Sequence, residues 1–384
     1  MAMKTVIILG AGFGGLTVAT DLSTTVREGV RIVLVDRKRK FYECALNLAV
    51  MTGELADTSL AEGDISSLAG RGIEFICEEL TGIDTSAMTI TTESHSIRGD
   101  FIVVALGASY VPEQIPGFAE NAYNLYDGQG VKELASALNN FAGGRIAVLV
   151  SRTPFKCPAA PYEAAFLIES LLRKKGIREE CTVDMYTPEW APMPVTGDAV
   201  GSDIVGMLRD RNIGYFPDHM VLKVEKGRME FETDEAEFDL LVGVPPHESP
   251  SVVREAGLTD ATGWIPVDGR TLQTRFPGIF ALGDITSIRL HNGMSLPMAG
   301  VFAMNEGLAV ASSIASSLSG SGTISGFEGD GFCFIEVGDG MAAYGSGNFY
   351  SRPRPSIELS SPSAEFKKQK DQFAAMILES LRKE

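Results

Sequence analysis

The stretch Lys4 to Gly15, KTVIILGAGFGG, decides the fold. Its first six residues make a compact apolar strand, and the glycines after it open a helical run at Leu16, the strand–turn–helix of a dinucleotide-binding unit. Gly10 permits the tight turn, Gly12 lets a pyrophosphate lie against bare backbone, and Gly15 lets helix and strand pack closely. A second strand, Arg31 to Val35, ends at Asp36. An acid there can accept hydrogen bonds from the adenosine ribose hydroxyls and would repel a 2′-phosphate.

Two later stretches extend the pattern. Asp100 to Leu106 is a strand running into Gly107-Ala108-Ser109, so that Ala105 and Gly107 flank the turn, and Gly278 to Asp284, GIFALGD, is another. The first resembles the second nucleotide-contacting element of two-dinucleotide-domain flavoproteins; the second resembles their flavin-side element, in which Gly283 makes the turn and Asp284 accepts from the ribityl chain. With the three elements in order, the resemblance implies FAD. A long apolar helix is expected from about Pro297, and its N-terminus at Ala299 and Gly300 would point toward the flavin, where its dipole favours negative charge.

The region from about Pro116 to Val244 reads as an inserted second α/β unit, with strand Ile146 to Val150, a loop and a helix from about Pro161. Here the rule breaks. Where a pyrophosphate needs Gly-x-Gly-x-x-Gly, the loop offers Ser151-Arg152-Thr153-Pro154-Phe155-Lys156-Cys157. A thiol replaces the phosphate cradle. The fold class expected is α/β, two Rossmann-like dinucleotide-binding domains in the layout of glutathione-reductase-like flavoproteins, plus a C-terminal interface domain. Residues 1–115 and 245–320 would form a discontinuous FAD-binding domain, 116–244 a degenerate NAD-binding-like domain, and 321–384 the interface domain.

Composition narrows the partners. At 384 residues, 45% hydrophobic and 22% charged, the chain is ordinary globular material for two or three domains. A formal charge of −17 argues against nucleic acid and against general adhesion to an anionic membrane. No apolar run is expected to reach the roughly 18 residues of a membrane span, and the N-terminus runs straight into a strand with no signal-peptide pattern, so the chain is expected to stay where it is made. The five cysteines, Cys44, Cys77, Cys157, Cys181 and Cys333, are too few for a disulfide scaffold. Cys77 and Cys181 lie in strand-like apolar runs and are expected in the core.

Cys157, followed by Pro161-Tyr162-Glu163, and Cys333, in the strand GFCFIEVG from Gly331, carry a more specific resemblance. Over about residues 4–350 the chain resembles the sulfide:quinone oxidoreductase and flavocytochrome c sulfide dehydrogenase flavoprotein family, in which a cysteine in the degenerate second loop pairs with one on a C-terminal strand beside the flavin. The resemblance implies FAD-dependent oxidation of sulfide, or another small sulfur substrate, through a Cys157–Cys333 relay, with electrons passed to a quinone or a cytochrome c. Glu163 is the candidate acid/base at the outer sulfur, against the plainer reading of an exposed helix carboxylate. Cys44, in YECALNLAVMTGE, resembles the cysteine that bonds the flavin's dimethylbenzene edge in the flavocytochrome branch, against the plainer reading of a buried thiol. One departure stands out: family members commonly carry a lysine in the segment here written Leu296-Pro297-Met298-Ala299-Gly300, and this chain has Met298. Residues 363–384 predict a helix with Phe366, Phe373, Ile377 and Leu381 on one side and Lys367, Lys368 and Lys370 nearby. That stripe would pack on its own protein or a homodimer mate, or dock peripherally on a membrane. Alternatives of the same fold are a coenzyme A disulfide or persulfide reductase and an NADH dehydrogenase; the alternative of another class is a flavin-bound interaction protein with no turnover.

Overall fold

A computed structural model describes residues 3–26, 29–320 and 325–382. The linker expected from Ser321 falls on residues 321–324, outside the described residues. The first sheet is parallel, in the order Ile279–Ala281, Phe101–Val104, Lys4–Leu9, Val30–Asp36, Ile73–Cys77. Its strands read as continuous apolar runs because both faces are covered. Successive side chains alternate between faces: Val6 and Ile8 join the core under the helices Phe13–Thr25 and Gly300–Ser319, whereas Ile7 and Leu9 join the core of the opposite face.

The second sheet repeats the design, in the order Tyr123–Asn124, Leu240–Val244, Gly144–Val150, Cys181–Tyr186, Gly214–Phe216, again parallel. Ile146, Val148 and Val150 face one core, Ala147 and Leu149 the other. The two α/β units are joined where Ser109–Tyr110 pairs antiparallel with His247–Glu248. The third element is an antiparallel meander, Asp330–Gly338, Met341–Asn348 and Ser356–Leu359, closed by the helix Ala364–Arg382. Ile335 and Val337 of its first strand enter the same core as Ala165, Phe166 and Ile168 of the helix Ala160–Lys175, so the third unit is welded to the second.

Several expectations shift. The apolar helix starts at Gly300, not Pro297, because the residues before it are extended: Leu296 donates to the Ile288 carbonyl and Met298 pairs with Lys156 as a parallel bridge. By length and composition this helix alone, among the described residues, qualifies as a bilayer span, contrary to the expectation that no run would; 67% of its apolar window is buried in the protein, which marks a core helix. Cys77 is exposed, at the last position of the edge strand Ile73–Cys77; Cys181 is buried as expected. The C-terminal stripe is used internally: Phe366 stacks on Tyr344, Phe373 meets Phe332 edge-on, and Ile377, Leu378 and Leu381 are buried. That face is therefore not free for a membrane or a dimer mate.

Candidate active site

The dinucleotide loop is held by backbone fit. A Cβ on Gly10, whose φ is +99°, would lie 2.3 Å from the Ala105 carbonyl oxygen, and one on Gly15 would lie 1.9 Å from the Gly10 carbonyl oxygen. A Cβ on Gly12 would meet nothing within 4 Å. The helix that starts at Phe13 has no side-chain cap and no acid in its first turn. Its free N–H groups thus face open space bounded by glycine, which is what a pyrophosphate requires. Asp36 accepts from Ala11 N–H at 2.7 Å and from Lys38 N–H at 2.8 Å, so it braces the loop as well as presenting an acid to a ribose.

Around the flavin end, the turn Gly283–Ile285 carries Asp284, whose carboxyl is raised by burial and lowered by nearby Lys156. Gly283 N–H donates at 2.6 Å to Glu306 Oε2; burial pushes that carboxyl up to about 8. Glu306 was not singled out from the sequence. The signal was a charged residue on the buried face of an otherwise apolar helix, with Phe302 and Val310 one turn to either side. Cys44 sits on a short 3₁₀ turn, half-buried, its thiol pushed up to about 11 by burial and pulled down by Lys156. Next to it the buried Glu43 accepts from Ala45 N–H with one oxygen, while its Oε2 has no partner. Open backbone donors, a buried orphan acceptor and Asp284 on one cradle fit FAD. Residues Gly10, Gly12, Gly15 and Asp36 would hold its adenosine and pyrophosphate; Ala105, Gly107, Gly283, Asp284, Ala299 and Gly300 would line the flavin side.

The broken second loop has a definite form. Cys157 has φ +50°, a left-handed conformation costing a non-glycine residue about 1–2 kcal/mol. Its N–H donates to the Met298 carbonyl at 2.7 Å, and its own carbonyl accepts from Ala160 N–H at 2.9 Å and from Tyr126 Oη at 3.3 Å. These bonds tie the loop between the second unit and the extended segment that leads into the helix Gly300–Ser319. Cys157 and Cys333 both pack against the core under the helix Ala160–Lys175, and both are free thiols. Burial pushes Cys333 up to about 12, with Glu163 adding to it; Cys157 is raised further by burial, by Cys333 and by Glu163. The fold has brought the two distant cysteines within electrostatic reach of each other.

Glu163 is not the exposed carboxylate of the plainer reading. It is 3% exposed, because the first turn of its helix lies against the third-domain strand. It accepts from Glu336 N–H at 2.8 Å and from Lys370 Nζ at 2.5 Å, and Lys370 also donates to Glu336 at 2.9 Å. Burial raises Glu163; Lys370 opposes it. Burial works against the Lys370 ammonium, but Glu163 and Glu336 outweigh it and keep it charged. Lys370 was read as one of several basic residues near the stripe. Its position gave the signal, four residues after Phe366 and three before Phe373, on the stripe itself.

A cleft of about 760 Å3 lies away from these groups and is lined by Glu169, Arg173, Arg178, Arg211 and Asp339. Those charges pair with one another, which makes it an ion-paired seam.

Fold and cradle together define an oxidoreductase of the class that binds one dinucleotide in a glycine loop and serves it from a second α/β unit. Residues 4–307 match the Pyridine nucleotide-disulphide oxidoreductase family, and the chain belongs to that family of FAD-dependent oxidoreductases. It is 26% identical over 300 residues to the mitochondrial sulfide:quinone oxidoreductase of Mus musculus, covering 74% of this chain and 66% of that protein, just under two thirds of its length. It is 24% identical over 338 residues to a type II NADH:quinone oxidoreductase of Staphylococcus aureus, covering 83% and 84%. The solved sulfide:quinone oxidoreductase of Aquifex aeolicus superposes with a TM-score of 0.90 at 22% identity, covering 99% of this chain and 91% of that one, which bears out the expected fold.

Proposed function

We propose that this protein oxidises sulfide and passes the electrons through FAD to a quinone. The observation that carries the reading is the second loop, which carries Cys157, packed against the same core as Cys333, where a nicotinamide nucleotide would need a phosphate cradle. Its other parts are equally unsuited to NADH. Ser151 Oγ donates to the Val244 carbonyl, Arg152 donates to the Ser151 and Val221 carbonyls, and Phe155 is buried. Glu189, just past the strand Cys181–Tyr186, occupies the place of the ribose-binding acid. It is buried and accepts from Tyr162 Oη at 3.0 Å, turned inward rather than toward a ligand.

In the oxidised protein Cys157 and Cys333 form a disulfide. Hydrosulfide attacks Cys157, the S–S bond breaks, and the products are a persulfide on Cys157 and a thiolate on Cys333. FAD, when bound, supplies the two-electron acceptor next to that thiolate. Lys370 stabilises the negative charge as it develops, and Glu163, raised by burial and hydrogen-bonded to Lys370, takes or returns the proton at the outer sulfur. Burial keeps unreacted thiols protonated, so charge appears only with reaction. In this reading Cys44 bonds the flavin edge. The rings of Phe332, Phe334, Tyr344 and Phe373 meet on the face of the strand Asp330–Gly338 opposite to Cys333.

Anaerobic titration of the flavin absorbance tests the reading: sulfide should bleach it and NADH should not. Cys157→Ser and Cys333→Ser should each abolish bleaching by sulfide. Full bleaching by sulfide in either variant ends the relay; rapid bleaching by NADH alone ends the assignment and favours the NADH:quinone reading.

A further inference from the structure

Lys156 has no part in the relay, yet its position is more constrained than that of any surface lysine. Its backbone pairs with Met298, in the extended segment that leads into the helix Gly300–Ser319. Its Nζ lies 4.5 Å from the centroid of the Tyr110 ring, a cation–π contact. Among the described residues no carboxylate comes within ion-pairing distance of it, in contrast to Lys370, which has two. Burial works against its charge, but Tyr110, Cys44 and Asp284 raise it more, and His247 is pushed down by it as well as by burial. Cys44 and Asp284 are the residues assigned to the flavin.

The partner of Lys156 is a neutral tyrosine and not a carboxylate, so its positive charge is not neutralised at ion-pairing distance. The cradle it faces receives a ring that gains negative charge on two-electron reduction, and a fixed cation there favours the charged form. The uncapped N-terminus of the helix Gly300–Ser319 acts with the same sign. The Lys156–Met298 bridge ties cation and helix terminus to one segment, so their separation is set by backbone.

We propose that Lys156 is the charge that tunes the flavin site: carried in on the loop that no longer binds a nucleotide, it is bridged to Met298, just before the helix Gly300–Ser319, and favours reduced over oxidised FAD. This deepens the flavin part of the reading above and does not depend on sulfide as the substrate. The test is the two-electron midpoint potential of FAD in the full-length protein, measured by dye equilibration with dithionite as reductant, for wild type, Lys156→Gln and Lys156→Arg, with flavin content assayed first. Lys156→Gln should lower the preference for reduced FAD about ten-fold, which for a two-electron couple is about 30 mV. Lys156→Arg should stay within about two-fold of wild type. A Lys156→Gln potential equal to wild type, or an arginine variant as deficient as the glutamine one, overturns the proposal. If sulfide fails to reduce the wild-type flavin, the substrate assignment falls and the potential measurement stands.

Discussion

Replacing Lys370 by methionine probes the link between the last helix and the thiol pocket. The side chain's stem packs as before, but Glu163 and Glu336, 3% and 6% exposed, lose the cation that each contacts, at 2.5 Å and 2.9 Å. Removing one partner of a buried pair leaves uncompensated charge and costs about 3–5 kcal/mol, against a total stability of about 5–15 kcal/mol for a typical domain. Part of that cost is the proton that one carboxylate must take up, so it should be recovered when Glu163 is made neutral. Lys370→Met should lower the urea midpoint by an amount equivalent to about 3 kcal/mol at unchanged m. Glu163→Gln in the same background should restore at least half, a coupling of about 1.5 kcal/mol or more in a double-mutant cycle. Glutamine still accepts from Glu336 N–H, so the backbone contact survives the second change. A loss under about 1 kcal/mol, or strict additivity of the two substitutions, would refute the claim that these charges form one buried unit.

The other predictions concern the cradle. Protein denatured in acid should keep flavin on the peptide containing Cys44, and Cys44→Ser should release all of it; the mass of that peptide decides the matter. Glu306, with its folded pKa near 8 against 4.5 for a free carboxyl, binds more protons folded than unfolded between those values. Wild-type stability should therefore fall as pH rises from about 5 to 8, and Glu306→Gln should flatten that slope in pH-dependent urea melts. A slope unchanged by the substitution would show that the carboxyl is ionised when folded.

The first dinucleotide loop was legible because its constraints are local. A glycine needed for a positive φ or a close approach is written into the chain at the position where backbone meets backbone, as Gly10 and Gly15 are. The order of strands followed from apolar runs buried on both faces, and the lost second cradle from missing glycines. Element ends were less legible: the start at Gly300 depends on the extended pairing of Met298 with a loop more than a hundred residues earlier.

What sequence determined by itself was therefore the fold class and the glycine loop of the cofactor cradle. The placement of charge was decided only by tertiary structure. Glu163, Glu306, Lys156 and Lys370 look like ordinary surface ionisable groups in the chain, and each takes its character from burial and from partners that come from remote segments. Glu163 meets Lys370 only because the last helix closes over the strand that carries Cys333. Lys156 faces Cys44 and Asp284 only because the two α/β units meet at the loop. An ionisable group's energy depends on the dielectric and the charges around it, and those are properties of the assembled fold.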